Sequence, residues 1–255
     1  LSIRRQRQMC IRDRYMPIGY YGMSGSYIIY FLLVMLIPLW AQFKVKRTYE
    51  RYKKVRTKSG LTGKEVAEII MQANGITGVQ VVRGEVELSD HYDPTQNIVV
   101  LSPIVYSQPT VASVAIAAHE VGHVIQDKVA DYKPMRWRHS LVPLANLGGN
   151  LSMILIMVGF LLTGLIGKFG YTIAWVGVGF MLFAVLFQVV TLPVEFDASK
   201  RALEQVVDLN IVDEQENRHC RKVLTAAALT YVAAAVVALM ELLRFVFILL
   251  GSNRD

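Results

Sequence analysis

The chain reads as a mainly α-helical integral membrane protein with a small β-sheet and three to four transmembrane helices. Three observations predict that class. Of its 255 residues, 53% are hydrophobic, and the mean hydropathy is +0.37. Met16–Phe43, Ser140–Gly167 and Phe169–Val194 carry no charge at all, and each is longer than the ~20 apolar residues a helix needs to cross a bilayer. Between the first and second of these lie short β-branched runs bounded by turn residues, the pattern of a small sheet.

Taken in order, residues 1–15 differ from everything that follows. They carry Arg4, Arg5, Arg7, Arg12 and Arg14 against Asp13, and the run resembles translated sequencing-adapter read-through. The natural chain is therefore expected to start at Met16, with the preceding segment set aside as a non-native leader. Residues 16–43 are the first transmembrane helix, centred on Ser26–Ala41, with Tyr27, Tyr30 and Trp40 as interfacial aromatics. Its positive charges follow the apolar stretch instead of preceding it, which is the wrong order for a cleaved signal peptide. Eight bases between Lys44 and Lys58 favour the cytoplasmic side, leaving the natural N-terminus outside. Such blocks beside apolar spans account for the net charge of +7. They are not interleaved with aromatics as in a nucleic-acid surface, so no nucleic acid is expected as a partner. Two cysteines, Cys10 and Cys220, are too few for a disulfide framework and fit a thiol-reducing compartment.

Residues 44–146 are expected to form a folded region on the cytoplasmic side. Thr62-Gly-Lys-Glu65 is a capping box opening a short amphipathic helix that stops near Asn74-Gly75. Val79–Arg83 and Asn97–Leu101 read as strands separated by the turn-rich Ser89–Pro94. Asn97–Leu101 is a candidate edge for adding an extended peptide, weighed against the commoner fate of a fully paired strand. His91, beside Asp90 and Asp93, reads as a local hydrogen-bonding residue. Pro103–Gln108 makes a turn or short helix; Thr110 or Ser113 can cap the helix after it, which runs to about Ala130. Arg136, Arg138 and His139 form a basic junction before the membrane.

Residues 147–191 read as a transmembrane hairpin, Leu147–Ile166 and Thr172–Val190 joined by a short link. Residues 192–222 follow as a helix starting at Pro193, then a second capping box, Asp213-Glu-Gln-Glu216. In residues 223–255, Leu224–Leu250 is apolar apart from Glu241 and Arg244, three residues apart and able to pair. This is either a fourth span running outward or a helix whose Ala226–Ala238 half packs over the preceding helices.

The chemistry centres on Ser113–Gln126, an Ala/Val/Ile-rich helical stretch containing His119-Glu120-Val-Gly-His123. Residues four apart share a helix face with Cβ atoms about 5–6 Å apart, so both imidazoles can reach one metal ion. Glu120 lies about 100° round the helix, near enough to meet a water at the metal without being a ligand. With 5 histidines in the chain, only about 0.004 such patterns arise by chance, against which stands a plain pair of core histidines. A catalytic zinc takes three protein ligands. The remaining Cys and His are poorly placed, so a carboxylate is expected. Two spans separate His123 from Pro193-Val-Glu-Phe-Asp-Ala-Ser-Lys-Arg-Ala202, and an even number of crossings returns the chain to the same side. Glu195 leads as the ligand because it lies nearest the membrane exit and has Ser199 one turn later as support. Asp197 is the competing ligand, Glu204 the next, and no oxyanion donor is identifiable.

The segments His-Glu-Val-Gly-His-Val-Ile-Gln, Pro-Val-Glu-Phe-Asp-Ala-Ser-Lys-Arg-Ala, Leu-Ser-Asp-His-Tyr-Asp-Pro and Ala-Gln-Phe-Lys-Val-Lys together resemble the YugP-type neutral zinc metallopeptidases of bacteria. The resemblance covers nearly the whole chain from Met16. It implies a membrane-embedded, zincin-like metallopeptidase of the gluzincin kind, with Zn²⁺ held by His119, His123 and Glu195 and with Glu120 as general base. It also implies a polypeptide substrate and a place in the bacterial inner membrane. The HtpX-like membrane proteases are more distantly similar and commonly have Asp where this chain has Ser199. Two other classes compete. One is a catalytically silent scaffold stapled by zinc, against which Glu120 argues, since a structural site needs no base. The other is a transporter, which the scarcity of mid-span polar groups disfavours.

Overall fold

The computed structural model describes residues 25–252; the expected leader, residues 1–15, and the start at Met16 lie outside the described residues. The elements are α1 (Gly25–Tyr52), α2 (Gly63–Ala73), β1 (Gln80–Arg83), β2 (His91–Asp93), β3 (Ile98–Leu101), α3 (Pro103–Ser107), α4 (Val111–Lys128), α5 (Lys133–Ile166), α6 (Lys168–Asp208) and α7 (Glu214–Ser252). The chain divides into two units, Leu1–Ile37 and Pro38–Asp255. Within the first, the described residues are helical, and large apolar side chains such as Ile29, Phe31 and Leu36 stand more than half exposed. Apolar surface of that kind belongs against lipid tails.

Among the described residues four helices, α1, α5, α6 and α7, are long and apolar enough to cross a membrane. Within the second unit, α5 and α6 pack as an antiparallel pair through small residues. A Cβ on Gly148, Gly159 or Gly170 would collide with backbone of the facing segment, and one on Gly177 would lie 2.8 Å from Ser152 O. Where lipid solvates apolar side chains as well as protein does, close backbone approach of this sort is what holds helices together.

Beside these helices sits a core centred on α4. Fourteen of its eighteen residues are buried, as expected of a helix that is apolar on nearly every face. Amphipathic α2 covers it with Val66, Ala67, Ile70 and Met71, all buried. The capping box is present as read: Thr62 Oγ1 accepts from Glu65 N at 3.3 Å, and Thr62 N donates to Glu65 Oε2 at 2.8 Å. The second box behaves likewise, with Asp213 N donating to Glu216 Oε2 at 3.0 Å and Glu216 N to Asp213 Oδ1 at 2.8 Å.

Two features depart from the sequence expectation, and a third combines its alternatives. The segment read as a turn contains a strand: His91–Asp93 forms β2, and the sheet order is β1-β3-β2, with β3 parallel to β1 and antiparallel to β2. Only the tip is a turn, where Asp93 Oδ1 accepts from Thr95 N (2.8 Å) and Gln96 N (3.2 Å), and Asn97 takes a positive φ of 54°. Of the two fates open to Asn97–Leu101, the commoner one holds: it is the central strand, paired on both sides and closed to strand addition. Pro193 does not start a helix either. The third span and the segment bearing Glu195 are one continuous helix, α6, with Pro193 inside it. Packing along the full length of α6 outweighs the loss of one helical hydrogen bond at proline. Finally, the C-terminal segment has features of both alternatives. Helix α7 is long enough to span, and its first half also buries Ala226, Ala233 and Ala235 against the rest of the fold.

Candidate metal centre

Helix α4 is capped by Thr110, whose hydroxyl accepts from Ser113 N at 3.2 Å, and its length carries His123 into the buried core and His119 to its edge. The two rings stand one turn apart, with centroids 4.7 Å apart and planes at 79°. Helix α6 crosses α4 at Gly122, where the missing side chain matters: a Cβ there would lie 2.5 Å from Ala198 O. Backbone contact at this point sets Glu195, just under one turn before Ala198, and Ser199, just after it, beside the imidazoles.

The resulting cluster is tight. Glu195 Oε2 lies 3.3 Å from His119 Nε2 and 3.6 Å from His123 Nε2. The ligand-capable atoms of all three side chains fall within 4.8 Å of one another, and Glu195 is 2% exposed. Two imidazoles and a carboxylate are the donor set that zinc takes in catalytic sites. Their outer atoms are held as well. Gln126 Nε2 donates to Val194 O at 2.8 Å and to Asp197 Oδ2 at 2.9 Å, which turns its Oε1 toward His123 Nδ1 at 3.0 Å. His123 Nδ1–H therefore donates to Gln126, and the Nε2 lone pair is left facing Glu195. On the other ring, His119 Nδ1 meets Ser199 Oγ at 3.2 Å. The residues present fit a zinc ion in donor type, and His123 fits it in tautomer as well.

Asp197, the competitor for third ligand, points elsewhere: it accepts from Gln126 and from Arg201 Nε at 2.5 Å. Glu204 is on the surface, 3.8 Å from Lys200 Nζ. His91 makes the local contact expected of it, Nδ1 to Ser89 O at 2.7 Å.

Glu120 is buried next to the cluster. That burial pushes its pKa up to about 7; Asp90 and Glu195 push in the same direction and His119 opposes them. The backbone of Tyr92 in β2 faces its carboxylate, while the Tyr92 hydroxyl donates to Asp127 Oδ2 at 2.9 Å and so ties the strand to α4. A cavity of about 310 Å³ opens beside His119, Glu120 and Glu195, walled by Val45 and Tyr49 of α1 and by Val223, Ala227 and Tyr231 of α7.

Sequence reasoning missed three residues here. Arg138, read as part of a basic junction, puts Nη2 3.9 Å from Glu195 Oε1. Gln126 was inside the motif-bearing stretch but had no role until α6 supplied its partners. Tyr231 lines the cavity in electrostatic contact with Glu195 and Glu120; a polar aromatic within an alanine-rich span was the only sign of it.

Comparison with known proteins places residues 27–250 in a match to the family described as "Putative neutral zinc metallopeptidase". A protein of Bacillus subtilis (strain 168) described as "Putative membrane protease YugP" is 44% identical over 223 residues, which cover 86% of this chain and 94% of that relative. No solved structure matches the chain.

Proposed function

Because the chain belongs to the putative neutral zinc metallopeptidase family, we propose that it is a membrane-bound zinc endopeptidase of the gluzincin type. In this reading His119, His123 and Glu195 hold the metal and Glu120 is the general base. The observation that carries it is the meeting of two imidazoles and a buried carboxylate within 4.8 Å, with a second buried carboxylate beside them that is not part of the cluster. Zinc bound there would supply Lewis acidity, polarising a peptide carbonyl and drawing the pKa of water toward ~7.

The remaining work falls to the side chains. Glu120 takes a proton from the attacking water on its carboxylate and delivers it to the departing amine nitrogen, acting as general base and then as general acid. Gln126 and Ser199 keep both Nε2 atoms turned inward. Arg138 holds the far oxygen of Glu195, and Tyr231 is positioned to donate its hydroxyl to charge developing on the substrate oxygen. A groove of about 680 Å³ along α6 and α7 shares Ser199, Leu224 and Ala228 with the catalytic cavity. A groove that close to the cavity gives room for an extended polypeptide. The basic block that begins in the C-terminal half of α1 and runs on to Lys58 supports a bacterial plasma-membrane protein with its catalytic face in the cytoplasm.

The test is Glu120→Gln in the purified full chain. Zinc content per chain should be unchanged while cleavage of a casein or membrane-protein mixture falls about 10²–10⁴-fold. Equal cleavage by parent and variant would remove Glu120 as the base. Zinc in both with cleavage in neither would leave the stapled scaffold as the better reading.

A further inference from the structure

Helices α1 and α7 form a wall with two faces. Gln42, Val45 and Tyr49 of α1 and Val223, Ala227 and Tyr231 of α7 face the catalytic cavity. About half a helical turn round from each set, the same two helices line a second cavity of about 720 Å³. Its charged lining consists of Lys44, Arg47 and Arg51 of α1 with Arg221 and Lys222 of α7, and no acidic residue contributes. None of these five cations takes part in an ion pair among the described residues, although ion pairs engage many other cations of the chain.

The cavity is also amphiphilic along its length. On α1 the change from apolar to charged falls between Phe43 and Lys44, and on α7 it falls between Lys222 and Val223. Trp40 and Phe43 therefore stand on the apolar side, 54% and 64% exposed, while the cations stand on the other. Lys44 Nζ sits 4.9 Å from the Trp40 ring centroid, which anchors an interfacial indole beside the cation cluster. Five unneutralised cations at the edge of two apolar spans, next to exposed aromatic surface, match a phosphate group carrying acyl chains.

We propose that this cavity binds the headgroup phosphate of an anionic phospholipid, with the acyl chains lying along Trp40 and Phe43. Arg47 and Arg221, from opposite walls, are the pair best suited to grip phosphate oxygens by their planar guanidinium groups. The site is independent of the zinc chemistry, so its test needs no proteolysis.

Full-length protein in a nonionic detergent would be titrated with phosphatidylglycerol, phosphatidylcholine or inorganic phosphate, with the melting temperature as readout. Phosphatidylglycerol should raise it saturably, while zwitterionic phosphatidylcholine and inorganic phosphate at the same concentrations leave it in place. Arg47→Gln/Arg221→Gln should raise the half-saturating lipid concentration roughly tenfold or more. Lys54→Gln/Arg83→Gln, which removes the same charge outside the cavity, should not. If the first pair does not fold, Arg51→Gln/Lys222→Gln makes the same comparison. An equal shift from phosphatidylcholine or inorganic phosphate would overturn the proposal, as would equal losses in the cavity and control variants, or no loss in either.

Discussion

Gly122→Ala tests whether the close crossing of α4 and α6 is what delivers Glu195 to the histidines. An alanine Cβ at this position would stand 2.5 Å from Ala198 O and 3.2 Å from Ala198 Cα, where ordinary van der Waals contact begins at 3.4 Å. Both obstacles are backbone, so no side chain can rotate away and the helices must part by most of an ångström. Overpacking of this kind costs about 1–3 kcal/mol, and the better helix propensity of alanine offsets at most ~1 kcal/mol of it. The melting temperature should fall by roughly 2–8 °C. Because Glu195 and Ser199 bracket Ala198 on the same helix, the ligand set opens as well. Zinc affinity should drop about 10–100-fold, as when a supporting contact to a ligand is lost, and a displacement near 1 Å costs on the order of 100-fold in rate. Gly149→Ala is the matched control, since nothing lies within 4 Å of its added Cβ, and it should be neutral or slightly stabilising. Zinc retention against a chelator series, thermal melting and cleavage rate would be measured on both. A Gly122→Ala protein that melts and holds zinc like the parent would refute the account of the crossing.

Three further outcomes follow from the same geometry. Gln126→Ala removes the acceptor at His123 Nδ1 and leaves Val194 O and Asp197 without their shared donor; zinc affinity should fall about 10–100-fold by competition titration, while Gln126→Glu should restore part of it. Tyr231→Phe should keep zinc content and KM and lower kcat about 10²-fold if its hydroxyl meets the developing oxyanion; an unchanged kcat removes it from that role. Asp90, whose Oδ1 accepts from Ser102 N at 2.7 Å, has its pKa raised chiefly by burial. A carboxyl with a folded pKa above its unfolded value of ~3.9 stabilises the fold when protonated, and that contribution is lost as pH rises through the folded pKa. Asp90→Asn should accordingly raise the melting temperature of metal-free protein near pH 7, with the gain vanishing below about pH 4; a gain independent of pH would show that charge burial is not its cause.

What the sequence alone determined is local or periodic. The spacing of His119 and His123 is one helical turn, the two capping boxes close over three residues, and uncharged runs long enough to span declare themselves by length. Even Glu195 was within reach, because counting membrane crossings needs no knowledge of packing. The tertiary structure decided everything that depends on which faces meet. His91–Asp93 is a strand because its backbone pairs with β3, with the Tyr92 hydroxyl tethering it to Asp127 of α4, and a strand that short carries no period to read. Pro193 stays inside a helix because α6 packs along its whole length, and Arg138 and Gln126 acquire partners 57 and 71 residues away in the chain, Glu195 and Asp197. A side chain's local pattern records the helix it stands on. Its function here depends on the backbone brought against that helix, which at Gly122 is allowed to come close only because a Cβ is absent.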